Sequence, residues 1–464
     1  MSTSPADGAQ TNLERGGGGD TIASGAATAF GAQIAIYALG LVTSILIARA
    51  LGAEGRGRYY LPVTAAMLVT VVFSVTLESA NTFLYAERRF SLRELASNAT
   101  LLAPLLGIPA AGALVAVYLM TADSLFAGVS LADVLIVAVV VPFQIHLLWA
   151  MNVFQLSRRV SRSQMALLAG AVVQTVLVGS LYVAGILDVR AGLVLYAASL
   201  LVTWTMLMWW ARDFAPMRPS FDRRRVRATV GLGLKLHIGL IASYLLLRAD
   251  IFLVSHFLGT REVGVYSLAV LLAELVVLLT NPLVIAALPF QAEASIQEAG
   301  RLSFKAARFN LIFALALGVG FAATLWLVIP LVYGSEFDAA YPALVALLPG
   351  IAALAVSRSL GTWLTRQERP WVLTCLGVGA FVLNVALNMV LLPEVGLVGA
   401  SIASTIAYAA LAAAFVTWGM RITGLPLRDV LMPTTDDLRT AQRIAQQAAA
   451  RLARVSGRGP ERRS

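Results

Sequence analysis

Twelve stretches of this chain, each of about twenty or more mostly apolar residues, follow one another with only short polar breaks. A helix needs about 20 such residues to cross the roughly 30 Å hydrocarbon core of a bilayer. No other feature narrows the fold so far, because lipid offers no partner to an exposed peptide group and leaves only helices and closed barrels as spanning structures. The spans fall near residues 27–48, 59–85, 99–120, 131–155, 164–186, 191–211, 230–257, 264–290, 309–332, 340–364, 371–392 and 397–420. The first has no basic segment directly before it and is long for a signal peptide, so it reads as a span. Composition agrees: 13% of residues are charged and the mean hydropathy is +0.79, against about 25% charged in soluble domains. The expectation is an all-α integral membrane protein with about twelve transmembrane helices.

The basic residues orient it. With the N-terminus in the cytoplasm, seventeen Lys and Arg fall in the five inner loops and five in the outer ones, the asymmetry of the positive-inside rule. Both termini are expected on the cytoplasmic side. The formal charge of +10 is then a topology signal, and nucleic acid is not expected as a partner. A single cysteine, Cys375, and three histidines, none four residues from another, leave no basis for a disulfide or a metal site.

The chain repeats itself at an offset of 207 residues. Leu51, Gly52, Gly57, Tyr59 and Leu61 match Leu258, Gly259, Gly264, Tyr266 and Leu268, and the same offset pairs Pro142 with Pro349 and Gly192 with Gly399. Six spans per half is an even number, so the repeat is parallel. Two six-helix lobes around a central cleft follow: an N-lobe at 27–211, a basic cytoplasmic linker at 212–229 and a C-lobe at 230–421. Residues 1–26, with a Gly16–Gly19 run, read as a disordered tail. Residues 422–464 read as a cytoplasmic tail with a helix over 434–455. The linker's Arg223–Arg225 run is a topology anchor or a contact for anionic lipid.

Polar groups inside spans are the candidate sites, since a charge at mid-bilayer costs about 2.5–3.5 kcal/mol and must face protein or water. Span 7 carries Arg248 and Asp250, about 200° apart on a helix of 100° per residue, with Tyr244 on the Arg248 face. Arg248 suits a phosphate in the cleft, and Asp250 suits a tie to a neighbouring helix. Span 2 carries Ser74, Glu78, Asn81 and Tyr85 at helical spacing; span 8 carries Glu274 and Asn281 seven apart. Acids on equivalent helices of two lobes suit a coupling cation or proton, or internal ion pairs. Arg358 in span 10 is a second candidate phosphate contact, His146 in span 4 reads as a core residue, and Asn384 and Asn388 in span 11 read as helix–helix contacts. The chain contains no nucleotide-binding, nucleophile-elbow or zinc-protease motif, so no catalytic site and no cofactor are expected. Transport would draw on an ion gradient, Na+ or H+, or on the substrate gradient.

Four segments resemble one family. LGAEGRGRYYL at 51–61, LRADIFLVSHFLGTREVGVYSLA at 247–269, VYGSEFDAAYPALVALLPG at 332–350 and LNVALNMVLLPEVGLVGASIAST at 383–405 are similar to the polysaccharide-exporter branch of the multidrug/oligosaccharidyl-lipid/polysaccharide (MOP) flippase superfamily. The resemblance covers about residues 27–432. It implies a flippase that carries a polyprenyl-(pyro)phosphate-linked oligosaccharide from the inner to the outer leaflet by alternating access, with a cleft lined by spans 1, 2, 7 and 8. It also implies pathway glycosyltransferases or a polymerase as partners, alongside membrane lipid. The Ala- and Arg-rich composition hints at a bacterial inner membrane. The alternatives are a cation-coupled multidrug exporter of the same superfamily and an enzymatic or non-transporting component of glycan assembly. Outer loops of about a dozen residues or fewer leave little room for the enzyme.

Overall fold

The computed structural model describes residues 22–365, 370–426 and 428, with side chains except at 22–29, 281–290, 292–293 and 370. Of the disordered tail expected at 1–26, residues 22–26 are instead the start of a helix, while residues 1–21, the helix expected over 434–455 and the side chain of Asn281 lie outside the described residues. Among these residues the regular structure is helical: α1 (Ile22–Phe73), α2 (Leu77–Ala86), α3 (Leu92–Thr121), α4 (Leu131–Leu156), α5 (Val160–Val183), α6 (Val189–Ala211), α7 (Arg223–Leu258), α8 (Thr260–Glu293), α9 (Ile296–Val332), α10 (Ala340–Leu364), α11 (Pro370–Val395) and α12 (Leu397–Thr423), with one 3-10 turn at Ser335–Phe337.

Eleven helical stretches are long and apolar enough to cross a membrane, and the first, Phe30–Ala86, holds 57 residues. At 1.5 Å per residue it would reach about 85 Å, nearly three times a hydrocarbon core. It does not run straight, because Gly52 at φ 65° and ψ −173° interrupts α1. That conformation is open essentially to glycine alone. The stretch therefore supplies two crossings, and the loop expected at 49–58 is instead helix on either side of one glycine. Gly259, between α7 and α8, takes the same conformation at φ 99° and ψ 177°. The two glycines that the sequence repeat pairs thus make the same turn.

The described chain divides into two compact units, residues 1–237 and 238–464, the division falling inside α7. Residues Arg223 to Thr229 of the segment expected as linker are the opening turns of that helix. In the first unit α3 packs on α4, α4 on α6, and α5 on α6; in the second α9 packs on α10, α10 on α12, and α11 on α12. The same neighbour pattern appears twice, as a duplicated six-helix plan requires. Polar residues cap some of the helix starts. Ser91 and Glu94 form a capping box on α3, Ser130 and Asp133 another on α4, and Asp188 accepts from Ala191 N–H at 2.7 Å on α6.

The opening turns of α7 are bound into the first unit. Thr229 accepts from Asn98 Nδ2 at 2.8 Å, and Arg225 donates to the Glu94 carbonyl at 2.9 Å. Just before them, the N–H of Arg225 donates to Asp222. That bond, ahead of a second one from Arg224, holds the exposed Asp222 carboxyl below the usual carboxylate range.

Candidate functional site

In the second unit, two of the expected site residues meet. Arg248 on α7 and Glu274 on α8 form an ion pair, with Nη1 2.7 Å from Oε1 and Nη2 donating a hydrogen bond to Oε2 at 3.0 Å. The Glu274 side chain keeps 34% of its surface exposed, so the pair is reachable. Tyr244, one turn before Arg248, is half-buried.

Asp250 looks the other way, as the angular offset requires. It is 2% exposed. Its Oδ2 accepts from Tyr266 Oη at 2.6 Å and Ser404 Oγ at 3.3 Å, and its Oδ1 accepts from the Ile251 N–H at 2.9 Å. Ser404 accepts from Asn384 Nδ2 at 3.1 Å, and Asn388 Nδ2 donates back to the Asn384 carbonyl at 2.9 Å. One chain of hydrogen bonds therefore joins α7, α8, α11 and α12. The 207-residue offset places Tyr59 opposite Tyr266 and Thr43 opposite Asp250. In the first unit Thr43 pairs with Thr175 at 2.8 Å and Tyr59 accepts from Gln174 at 3.4 Å. The frame is duplicated, with Thr43 in the first unit standing where the second has the Asp250 carboxylate.

The first unit holds Glu78 and Asn81 on α2. Asn81 is wholly buried, and neither polar atom of its side chain has a partner; Glu78 Oε2 is likewise buried and unpartnered. An unsatisfied buried amide costs about 1–3 kcal/mol per group, so the position calls for water or a bound group. The stripe expected to continue through Ser74 does not, because span 2 is broken. Val75 (φ 53°) and Thr76 (φ 50°) are left-handed, and Ser74 turns inward to the Val71 carbonyl at 2.9 Å. Left-handed backbone costs roughly 1–2 kcal/mol per L-residue, and β-branched residues are genuine outliers there.

Two residues of α7 hold that break. His237, 6% exposed, lies 2.8 Å from Thr76 Oγ1 through Nδ1 and 2.7 Å from the Val72 carbonyl through Nε2. A carbonyl only accepts, so Nε2 carries the proton. At Gly233 a Cβ would fall 2.2 Å from the Val75 carbonyl oxygen, so only glycine fits. Sequence reading missed this arrangement. Its local signal, Ser-Val-Thr inside an apolar run, is weak, and its partners lie far along the chain.

Arg358 is exposed on α10 between buried Ser357 and Ser359, and among the described residues it makes no ion pair or hydrogen bond. His146 is 5% exposed, receives Trp204 Nε1–H on Nδ1 at 3.1 Å and lies 3.2 Å from Thr100.

No curated protein matches this chain. Among solved structures, an inward-facing multidrug-resistance MATE-family transporter of the MOP superfamily matches with a TM-score of 0.63 at 17% identity, covering 84% of this chain and 94% of that one. The lipid II flippase MurJ, in an inward closed conformation, matches with a TM-score of 0.68 at 14% identity, covering 86% and 88%. A MOP superfamily transporter from Pyrococcus furiosus matches with a TM-score of 0.58 at 12% identity, covering 86% and 94%. These likenesses show the MOP fold. A family model described as polysaccharide biosynthesis protein matches residues 22–295. With more than half of its length inside that match, this multi-pass membrane chain of MOP fold belongs to the polysaccharide biosynthesis protein family.

Proposed function

We propose that the protein is a flippase for a polyprenyl-(pyro)phosphate-linked oligosaccharide, working by alternating access in a bacterial cytoplasmic membrane with both termini inside. The observation that carries the reading is Arg358, a guanidinium exposed and unpartnered within an apolar span of a polysaccharide-biosynthesis protein. Such a charge is stable only against water or an anion, and a lipid pyrophosphate supplies the anion. Arg248 is the second contact. Its guanidinium is paired with Glu274, so the pyrophosphate competes with that carboxylate, and a proton or Na+ on Glu274 releases the guanidinium. Asn281 belongs to the same stripe of α8 by its spacing. Glycosyltransferases or a polymerase of the pathway would supply and take up the glycan, and no covalent chemistry falls to this chain.

The test is reconstitution with a labelled lipid-linked oligosaccharide and an assay of its arrival in the opposite leaflet. Arg358→Ala slows transfer roughly tenfold or more, as expected for a lost charged hydrogen bond, while Arg358→Lys keeps most of the rate. Wild-type vesicles that move no lipid-linked glycan, from a protein that protects cells against cationic drugs, would overturn the reading. The unpartnered Glu78 Oε2 and Asn81 side chain favour that exporter as the second reading, with the acid as its cation site.

A further inference from the structure

A separate groove of about 550 Å³ lies in the first unit, where the start of α5 meets the end of α6. Its lining includes Arg162 and Met165 from α5, Met206 and Trp209 from α6, and Arg212 and Asp213 just beyond it. The two helices are consecutive and packed together, so these ends share one side of the unit.

The groove is layered along the helix axes. Arg162, Arg212 and Asp213 sit at the helix ends. Met165 lies one turn inside α5, and Met206 lies six residues before Arg212, about 9 Å deeper at 1.5 Å per residue. Trp209 is 61% exposed and Met165 is 43% exposed. The order from the end inward is charge, then the indole level with the Met165 thioether, then the Met206 thioether, a polar-to-apolar gradient like that of a phospholipid from headgroup to acyl chain. Tryptophan is enriched at that level of a membrane protein.

The three charges are unspent. Arg162, Arg212 and Asp213 are all exposed, and none forms an ion pair with another residue or with each other among the described residues. Two guanidinium groups complement a phosphodiester. The carboxylate beside them repels a purely anionic headgroup and attracts an ammonium group. We propose that this groove binds one membrane phospholipid whose headgroup carries both a phosphate and a primary amine. The phosphate lies at Arg162 and Arg212, the amine at Asp213, and an acyl chain runs over Met165, Met206 and Trp209. The site belongs to the ends of α5 and α6 and does not depend on what the protein transports.

Native mass spectrometry of the full-length, delipidated protein in detergent tests this. It is titrated in turn with phosphatidylethanolamine, phosphatidylglycerol and phosphatidylcholine. Wild type binds phosphatidylethanolamine most tightly. Arg162→Ala and Arg212→Ala each weaken it about fivefold, and the double variant weakens it on the order of thirtyfold. Asp213→Asn keeps binding and loses the preference for phosphatidylethanolamine over phosphatidylglycerol. These residues are exposed at helix ends, and gel filtration confirms that each variant remains monodisperse. Equal binding of all three lipids with no effect of the double variant overturns the proposal. So does saturation of the site by inorganic phosphate or phosphoethanolamine alone, which would make it a soluble-anion site.

Discussion

Replacing Tyr266 by Phe removes one oxygen from a fully buried position and nothing else. The bond lost is the 2.6 Å contact to Asp250, within the range of a hydroxyl bound to a carboxylate. Hydrogen bonds to charged groups contribute about 1.5–3 kcal/mol. The Oδ2 left behind keeps only Ser404 at 3.3 Å, so Tyr266→Phe should cost about 2–3 kcal/mol. Asp250→Asn behaves differently. It weakens the same bond to a neutral one but also relieves the burial of a charge, and those effects oppose each other. Its own cost is therefore small, and in its background Tyr266→Phe should cost only about 0.5–1.5 kcal/mol. The double-mutant cycle then yields a coupling of about 1–2 kcal/mol. The assay is unfolding in mixed micelles by SDS titration, followed by circular dichroism. Tyr59→Phe is the internal control, since Thr43 stands where the carboxylate would be, and it should cost under about 1 kcal/mol. If Tyr266→Phe costs the same with and without the carboxylate, to within about 0.5 kcal/mol, the network does not hold these helices together as argued.

Two further outcomes follow from the backbone. Gly52→Ala and Gly259→Ala should each destabilise by about 1–3 kcal/mol, additively, because each turn lies in its own unit; a neutral effect at either in the same micelle titration removes the claim that the turn requires glycine. His237→Ala should raise proteolytic nicking or hydrogen exchange at residues 72–78, while His237→Gln, which can renew one of the two bonds, should do so less. Equal protection in both variants would show that packing alone holds the break.

The parts of this fold legible in sequence were those set by local chemistry. Apolar runs mark the crossings, and LGxxxxGxYxL marks both glycine turns. Asp250 and Arg248 were correctly separated by helical angle. What the sequence could not show was which partner each group takes. Glu274 reaches Arg248 only because α7 and α8 present those faces to each other, and spacing within one helix carries no such information. The break at Val75–Thr76 was hidden for the same reason. Its residues suit a continuous apolar span, and the groups that bend it, Gly233 and His237, come from α7, 161 residues further on in the case of Thr76 and His237. The assumption of an unbroken helix put Ser74 on the Glu78 stripe, and tertiary contacts took it off.

The choice of residues at that break has a mechanical consequence. Glycine at 75 and 76 would make a slack joint, with no preferred angle and nothing to return it. Valine and threonine make a loaded one. The straight form of span 2 is favoured by its own backbone by about 2–4 kcal/mol over the pair, an intrinsic bias of roughly thirty- to a thousandfold. The bonds of His237 and the close approach of Gly233 offset that bias and hold the segment carrying Glu78 and Asn81 in its turned form.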